Sequence, residues 1–364
     1  MRISDVIQNK KVKLIGRTYI KDSKLFINFS GSGIKFKVLT NKLTIKLTGT
    51  KVDDINSRPY VSILVDGDRK DYAIDDLNYV IDLDLSYEPH IVEVLKRTES
   101  SVSFCAIEAI EAVEFLDFIE EKDLKIEFYG DSLTCGFGDL SECADDPFQT
   151  KTESFLEGYA YLISKALNAD YSAISVSGFP VYKSRWNEGF PIDNIPDMVS
   201  ICDYSEDMTY DTIVPWDNSK YHPDLVVVNL GANDQSYFIE GMKWIDELIQ
   251  KYGDFELVQK DELFLKEIEK LKKSITRFLD NLRKIYGKDL KIVWCLFDIY
   301  FEIGRLHEII KEHVLSYDGN TYFNIVSFKT NVRGAAWHPG KVMHREAADV
   351  LVDFIKTKVL GGEQ

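Results

Sequence analysis

Lys125-Ile126-Glu127-Phe128-Tyr129-Gly130-Asp131-Ser132-Leu133-Thr134 is the stretch on which the reading of this chain turns. A short apolar run of this kind suits a strand buried on both faces. Gly130 lets the chain turn tightly at its end. Ser132 then stands at the carboxyl end of the strand, where the start of a following helix favours developing negative charge. Gly-Asp-Ser alone is a weak signal, because a serine that merely caps a helix looks the same.

Toward the C-terminus the pattern repeats. YSAISV, DLVVVNLG, KIVWCLF and YFNIVSF are further short apolar runs. Between them lie ESFLEGYAYLISKAL, LFLKEIEKLKKSITRFLDNLRKI, EIGRLHEIIKEHVL and REAADVLVDFIKTKVL, which read as helices. Strand alternating with helix predicts a doubly wound parallel sheet, whose working residues sit at the carboxyl ends of its strands. The stretch from Asp193 to Tyr221, with Pro196, Pro215 and Trp216, has no clear period and reads as a long loop near that end.

Toward the N-terminus the period changes to two. KVKLIGRTYI, KLFINFS, GIKFKVLT, KLTIKLTGT, YVSILVDGD, YVIDLDL, HIVEVLKRT and SVSFCAIEAI alternate or are rich in β-branched residues. Many short strands between turn residues predict a β-sandwich or jelly roll. The charged stretch Glu120-Glu121-Lys122-Asp123 separates the two patterns. The expected organisation is therefore a β domain over residues 1–120 and an α/β domain over 121–364. A chain of 364 residues has the length for two cores.

Three more positions fall where strands meet their loops. Gly178 follows the second run and offers an N–H that no side chain shields. Asn233 follows the third and offers an amide NH₂. With the Ser132 N–H they would form an oxyanion hole. After the last run comes Ala335-Ala336-Trp337-His338-Pro339. The proline holds His338 extended, on a loop from which it can reach Ser132. His307, His313 and His344 fall on helices, His90 lies in the β region, and His222 precedes a strand. Asp131 and Asp234 are expected to brace loops.

Ser132, Gly178, Asn233 and His338, in that order, resemble the four blocks of the SGNH hydrolases. The chain is more closely similar to carbohydrate esterase family 2, the acetylxylan esterase family with an N-terminal jelly roll. Gly16-Arg17-Thr18, Ser30-Gly31-Ser32-Gly33-Ile34, Val65-Asp66-Gly67 and Lys96-Arg97-Thr98-Glu99 carry that likeness in the first region. In the second it rests on Gly130–Gly136, Pro223–Gly231 and Trp337-His338-Pro339. The resemblance implies a jelly roll followed by an SGNH hydrolase domain, and a serine esterase that removes O-acetyl groups from xylan or hemicellulose-derived saccharides. Ser132 would be the nucleophile and His338 its general base. SGNH enzymes usually carry aspartate three residues before the histidine, and here that residue is Ala335. A Ser-His dyad is therefore expected, with the Ala335 carbonyl orienting the ring. A carboxylate from the unpatterned loop, such as Asp203, Asp211 or Asp217, is the alternative. Trp337 and Trp216 are candidates to stack on a sugar.

The formal net charge of −16 disfavours nucleic acid and anionic membranes as partners, and leaves a neutral acetylated oligo- or polysaccharide acceptable. No run reaches the length of a membrane span. The five cysteines form no CxxC pair and no HExxH motif is present, so neither a metal nor another cofactor is expected. Cys135, close to Ser132, reads as a structural thiol. Odd cysteine usage and the absence of a leader-like N-terminus suit the cytoplasm. A homo-oligomer stays open, as do an esterase for other acyl groups, an acyltransferase on the same residues, and a carbohydrate-binding protein on a hydrolase scaffold.

Overall fold

The computed structural model describes residues 2–9, 11–50, 54–118, 120–185, 214–239, 242–300 and 305–361. The N-terminal strands are β1 (Val12–Ile15), β2 (Tyr19–Lys21), β3 (Lys24–Phe26), β4 (Gly33–Gly49), β5 (Tyr60–Val65), β6 (Asp68–Ala73), β7 (Tyr79–Lys96), β8 (Cys105–Glu111) and β9 (Glu114–Leu116). They form one antiparallel sheet in the order β2-β3-β8-β4-β7-β5-β6, with β1 and β9 also on β4. The jelly-roll expectation therefore fits only roughly, because hydrogen bonds join all nine strands in one sheet.

Two long strands explain this. The segments 33–40 and 42–50, read as separate strands from the sequence, are one strand, β4, and so are the two segments of β7. The pairing of β4 with β7 slips between Thr40 and Lys42. On β4 the buried residues change from Ile34, Phe36 and Val38 to Leu43, Ile45 and Leu47, so the irregularity switches their parity. Side chains alternate along a strand, so without that switch one half would present its apolar set to water. With it, both halves contribute to one core with Val61, Ile63, Val92, Val94 and Ile107.

The second sheet contains β10 (Lys125–Gly130), β11 (Asp170–Ser175), β12 (Leu225–Asn229), β13 (Lys291–Phe297) and β14 (Thr321–Val326). All its pairings are parallel and the order is β11-β10-β12-β13-β14. The apolar runs are continuous because both faces are covered. Val226, Val228, Ile292 and Trp294 face the helix Glu262–Tyr286, while Val227, Val293, Cys295 and Phe297 face the helices Tyr159–Ala166 and Lys341–Phe354. The strand order reverses direction between β10 and β12, the place where open α/β sheets form their crevice.

The two sheets are joined by buried polar contacts. Arg17 reaches Glu127 at 3.1 Å, with both side chains fully buried. Tyr129 and Tyr286 also donate to Glu127, at 2.8 and 2.7 Å. Burial of this arginine is affordable only because every nearby group favours its charge. Arg97 donates to the carbonyls of Thr150 and Lys151, at 3.0 and 2.9 Å.

Candidate active site

Ser132 opens a one-turn helix, Ser132–Cys135, directly after β10. Asp131 caps it, accepting the Leu133 N–H at 3.0 Å. A first-turn N–H has no partner within its helix, so that of Ser132 is available to an anion. Ser132 itself is only 9% exposed.

β11 ends just before the turn Val176-Ser177-Gly178-Phe179, closed by Phe179 N–H on the Val176 carbonyl at 3.3 Å. Gly178 takes φ +80°, the left-handed value that a type II turn demands at its third position. Asn233 lies on the first turn of the helix Ala232–Ile239, after β12. Its Nδ2 donates to Asp131 Oδ2 at 2.8 Å and to the Phe179 carbonyl at 3.2 Å. The amide thus ties Asp131, which caps the Ser132 helix, to the glycine turn. Asp234 accepts the N–H groups of Val181, Tyr182 and Lys183 at 3.0, 2.7 and 3.2 Å, and so braces the loop after that turn. Burial pushes the carboxyl groups of Asp131 and Asp234 up to about 7, against these donors.

His338 comes from the loop after β14. Its Nε2 accepts from Ser132 Oγ at 3.0 Å, and its Nδ1 lies 3.0 Å from the Ala336 carbonyl. From the sequence that carbonyl is expected to be the one of Ala335. The difference is one residue and has a backbone cause: Ala336 and Trp337 are both left-handed, with φ +49° and +62°. This turn aims the Ala336 carbonyl at the ring, while Ala335 O receives the His338 N–H at 3.1 Å. Two left-handed residues that are not glycine cost about 1–2 kcal/mol each. Distant contacts hold them. Ala335, Ala336 and Trp337 donate their N–H groups to the carbonyls of Gly138, Asp146 and Ala144, at 2.9, 2.9 and 3.1 Å. Trp337 Nε1 donates to Asp145 Oδ1 at 3.1 Å. Gly138 itself has φ +68°, and a Cβ there would stand 2.8 Å from that of Ala335.

Phe137 lies against the imidazole with ring centres 4.3 Å apart, and stacks on Phe148 at 3.8 Å. Desolvation, with Arg333 adding to it, pushes His338 down to about 4, and the Ala336 carbonyl opposes this. The ring is neutral at pH 7, as a base must be. Burial drives the thiols of Cys135 and Cys295 upward, so neither is a nucleophile. None of the other described histidines lines the cleft; His344 receives the Tyr159 N–H at 3.3 Å, His90 pairs with Asp66 at 2.6 Å, and His313 meets Thr276 at 2.9 Å.

Ser132, Gly178, Asn233, His338, Trp337 and Arg185 line one cleft of about 700 Å³. Trp337 is 59% exposed at its edge. Trp216 is not there: it is buried, with the Arg17 guanidinium 5.5 Å from its ring. An aromatic in an unpatterned loop gave no sign of which side it would face. Asp217 is also remote, accepting from Ser219 N at 3.1 Å. Asp203 and Asp211 lie outside the described residues, as does Cys202. The segment 137–148, which supports the histidine loop, escaped the sequence reading; its signal is the glycine pair Gly136 and Gly138, both left-handed. Among the described residues, Glu99, Cys135 and Glu153 bring potential ligand atoms within 4.8 Å of one another. They are buried beside the cleft and do not line it.

The family model of the GDSL-like lipases/acylhydrolases matches residues 126–351. The chain is 26% identical over 282 residues, 74% of its length, to the cellulase/esterase CelE of Acetivibrio thermocellus, of which that match covers 30%. It spans less than two thirds of the length of the curated relatives it matches. An acetyl xylan esterase, Est2A, from Butyrivibrio proteoclasticus superimposes with a TM-score of 0.82 at 23% identity, covering 98% of this chain and 97% of that one. A family two carbohydrate esterase from Clostridium thermocellum, in complex with cellohexaose, gives 0.78 at 23% identity, covering 95% and 98%. At such identities the structural likeness is one of fold.

Proposed function

The chain belongs to the GDSL-like lipase/acylhydrolase family, and on that premise we propose that it is a serine carbohydrate esterase that removes O-acetyl groups from xylan- or hemicellulose-derived saccharides. The observation that carries this reading is the contact of His338 Nε2 with Ser132 Oγ at 3.0 Å, in a cleft edged by an exposed tryptophan. The acetyl xylan esterase and the cellohexaose complex among its structural neighbours support a saccharide as the alcohol part of the ester.

Ser132 Oγ attacks the acetyl carbonyl carbon while its proton passes to His338 Nε2. The carbonyl electrons move to oxygen, which is held by the Ser132 and Gly178 N–H groups and the Asn233 amide. Of the two Asn233 contacts, the longer one, to the Phe179 carbonyl, is the one an oxyanion would replace. The tetrahedral species collapses, and His338 gives its proton to the departing sugar oxygen. His338 then deprotonates a water, which attacks the acetyl-enzyme, and as the second tetrahedral species collapses His338 returns that proton to Ser132 Oγ and acetate leaves.

In this mechanism His338 works as half of a dyad. A neutral imidazole has one N–H to give, and with Nε2 facing Ser132 it lies on Nδ1, 3.0 Å from the Ala336 carbonyl. That carbonyl fixes the tautomer and offers a dipole to the imidazolium, without a full negative charge. Trp337 would stack on the sugar from the edge of the cleft.

Acetate release from acetylated xylan, acetylated mannan and short acetylated oligosaccharides tests the assignment. We expect release from at least one of them at a rate exceeding that from a lipid-like long-chain ester. Turnover of long-chain esters alone would make the protein a lipase-like member of the family. Transfer of acetyl to an added sugar in preference to water would make it an acyltransferase.

A further inference from the structure

We propose that Glu99, contributed by the N-terminal β region, is a positioning residue for the oxyanion hole: its carboxylate holds the Val176–Ser177 peptide, the first of the turn that carries the Gly178 N–H, and so sets where that N–H stands relative to the reacting carbonyl. This rests on the serine esterase reading above. Glu99 follows β7 and is 1% exposed. Its Oε2 accepts the Ser177 N–H at 2.9 Å and the Ser101 hydroxyl at 2.5 Å. Its own N–H donates to Glu153 Oε2 at 3.2 Å, and its carbonyl accepts from the buried Lys96 Nζ at 2.6 Å. The backbone of Glu99 is thus held on both sides, and Ser101 holds its carboxylate.

The turn needs such an anchor. The Gly178 N–H belongs to the middle peptide of Val176–Phe179, whose position follows that of the two peptides flanking it. Among the described residues nothing lies within 4 Å of where a Gly178 Cβ would stand, so side-chain packing there does not choose the orientation. Glycine adopts either hand with ease, so its own preference does not choose either. Besides the turn's own bond, two hydrogen bonds hold the flanking peptides: Glu99 on the Ser177 N–H of the first, and Asn233 on the Phe179 carbonyl beyond the last. Asn233 must turn from that carbonyl to reach an oxyanion. Glu99 has no other task in the reaction and stays in place throughout. A carboxylate acceptor makes this bond roughly twice as strong as a neutral one.

Three variants test the role: Glu99→Ala removes the acceptor, Glu99→Asp keeps the charge but withdraws it by one methylene, and Glu99→Gln keeps an acceptor at the same reach. Each is assayed on 4-nitrophenyl acetate, and its affinity is measured for a boronic acid whose adduct with Ser132 places an oxygen in the hole. Melting temperature reports folding. We expect Glu99→Ala and Glu99→Asp to lower kcat at least tenfold with KM within threefold of wild type, and boronate affinity to fall in parallel. Glu99→Gln should recover most of both. If Glu99→Ala does not fold, Glu99→Asp decides. A folded Glu99→Asp with kcat and boronate affinity within twofold of wild type would overturn the proposal, as would a change confined to KM or a kcat loss without loss of boronate affinity. A wild-type protein that neither turns over the ester nor binds the boronate would instead remove the serine mechanism, and this inference with it.

Discussion

Ser132 and His338 reach the same cleft from two kinds of structure. Ser132 stands on regular elements: an apolar strand, a capping aspartate and the first turn of a helix. His338 stands on a turn of two left-handed residues that are not glycine, kept in place by the segment 138–146. The first arrangement follows local rules, so it would be built almost wherever that sequence occurred. The second breaks a local rule and is maintained only by contacts from elsewhere in the chain. Backbone strain of this sort persists where the surroundings over-determine it, and it concentrates at functional sites.

The largest effect should come from the regular side. Ser132→Ala removes the covalent route while leaving the oxyanion donors, so we expect a folded protein with kcat lowered at least about 10⁴-fold, measured as acetate release. A variant that kept a tenth of the activity would show that the ordered strand-to-helix turn is a scaffold for something else.

Next is Asn233, which bridges Asp131 and the Phe179 carbonyl. Asn233→Ala should cost about 10²–10³ in kcat with little change in KM, as for other oxyanion donors. If only KM moved, the amide would be a ground-state contact, and the nucleophile side would have no catalytic partner beyond backbone N–H groups.

These two sides also differ in how legible they are in the sequence. Ser132, Gly178 and Asn233 could be found because each closes an apolar run, and the ends of parallel strands share one edge. His338 could be placed near them for the same reason, but its partner could not be chosen correctly: whether Ala335 or Ala336 presents its carbonyl depends on a left-handed turn that alanine does not announce. Trp216 does not line the cleft, and its loop carries no period that would say so: its ring lies against Arg17 and Lys220. In the β region the alternation was readable, yet β4 and β7 looked like four strands, since a bulge and a turn interrupt the period in the same way.

A smaller effect should sharpen the contrast from the strained side. Ala336→Gly relieves the cost of a left-handed alanine, so thermal or denaturant unfolding should show a gain of about 1 kcal/mol. The same freedom loosens the aim of the carbonyl, so kcat should fall a few-fold. Opposite signs in the two measurements would identify the strain as functional. Loss of both stability and activity would mean that the methyl group is needed for packing and that the strain has no part in the mechanism.

The dyad is tested most directly by titrating His338 itself, through its ring NMR signals, assigned by comparison with His338→Asn. Burial lowers its pKa, the Ala336 carbonyl opposes this without overcoming it, and Arg333 lowers it further. A group whose pKa is depressed by folding adds stability above its unfolded value, about 6.5, and that contribution is lost as pH falls through the folded one. With Ala336 as the orienting group, the ring should titrate well below 6.5, near 4, and kcat/KM should stay level down to about pH 5. A midpoint at or above 6.5 would require a carboxylate against Nδ1, and would replace the dyad with a triad.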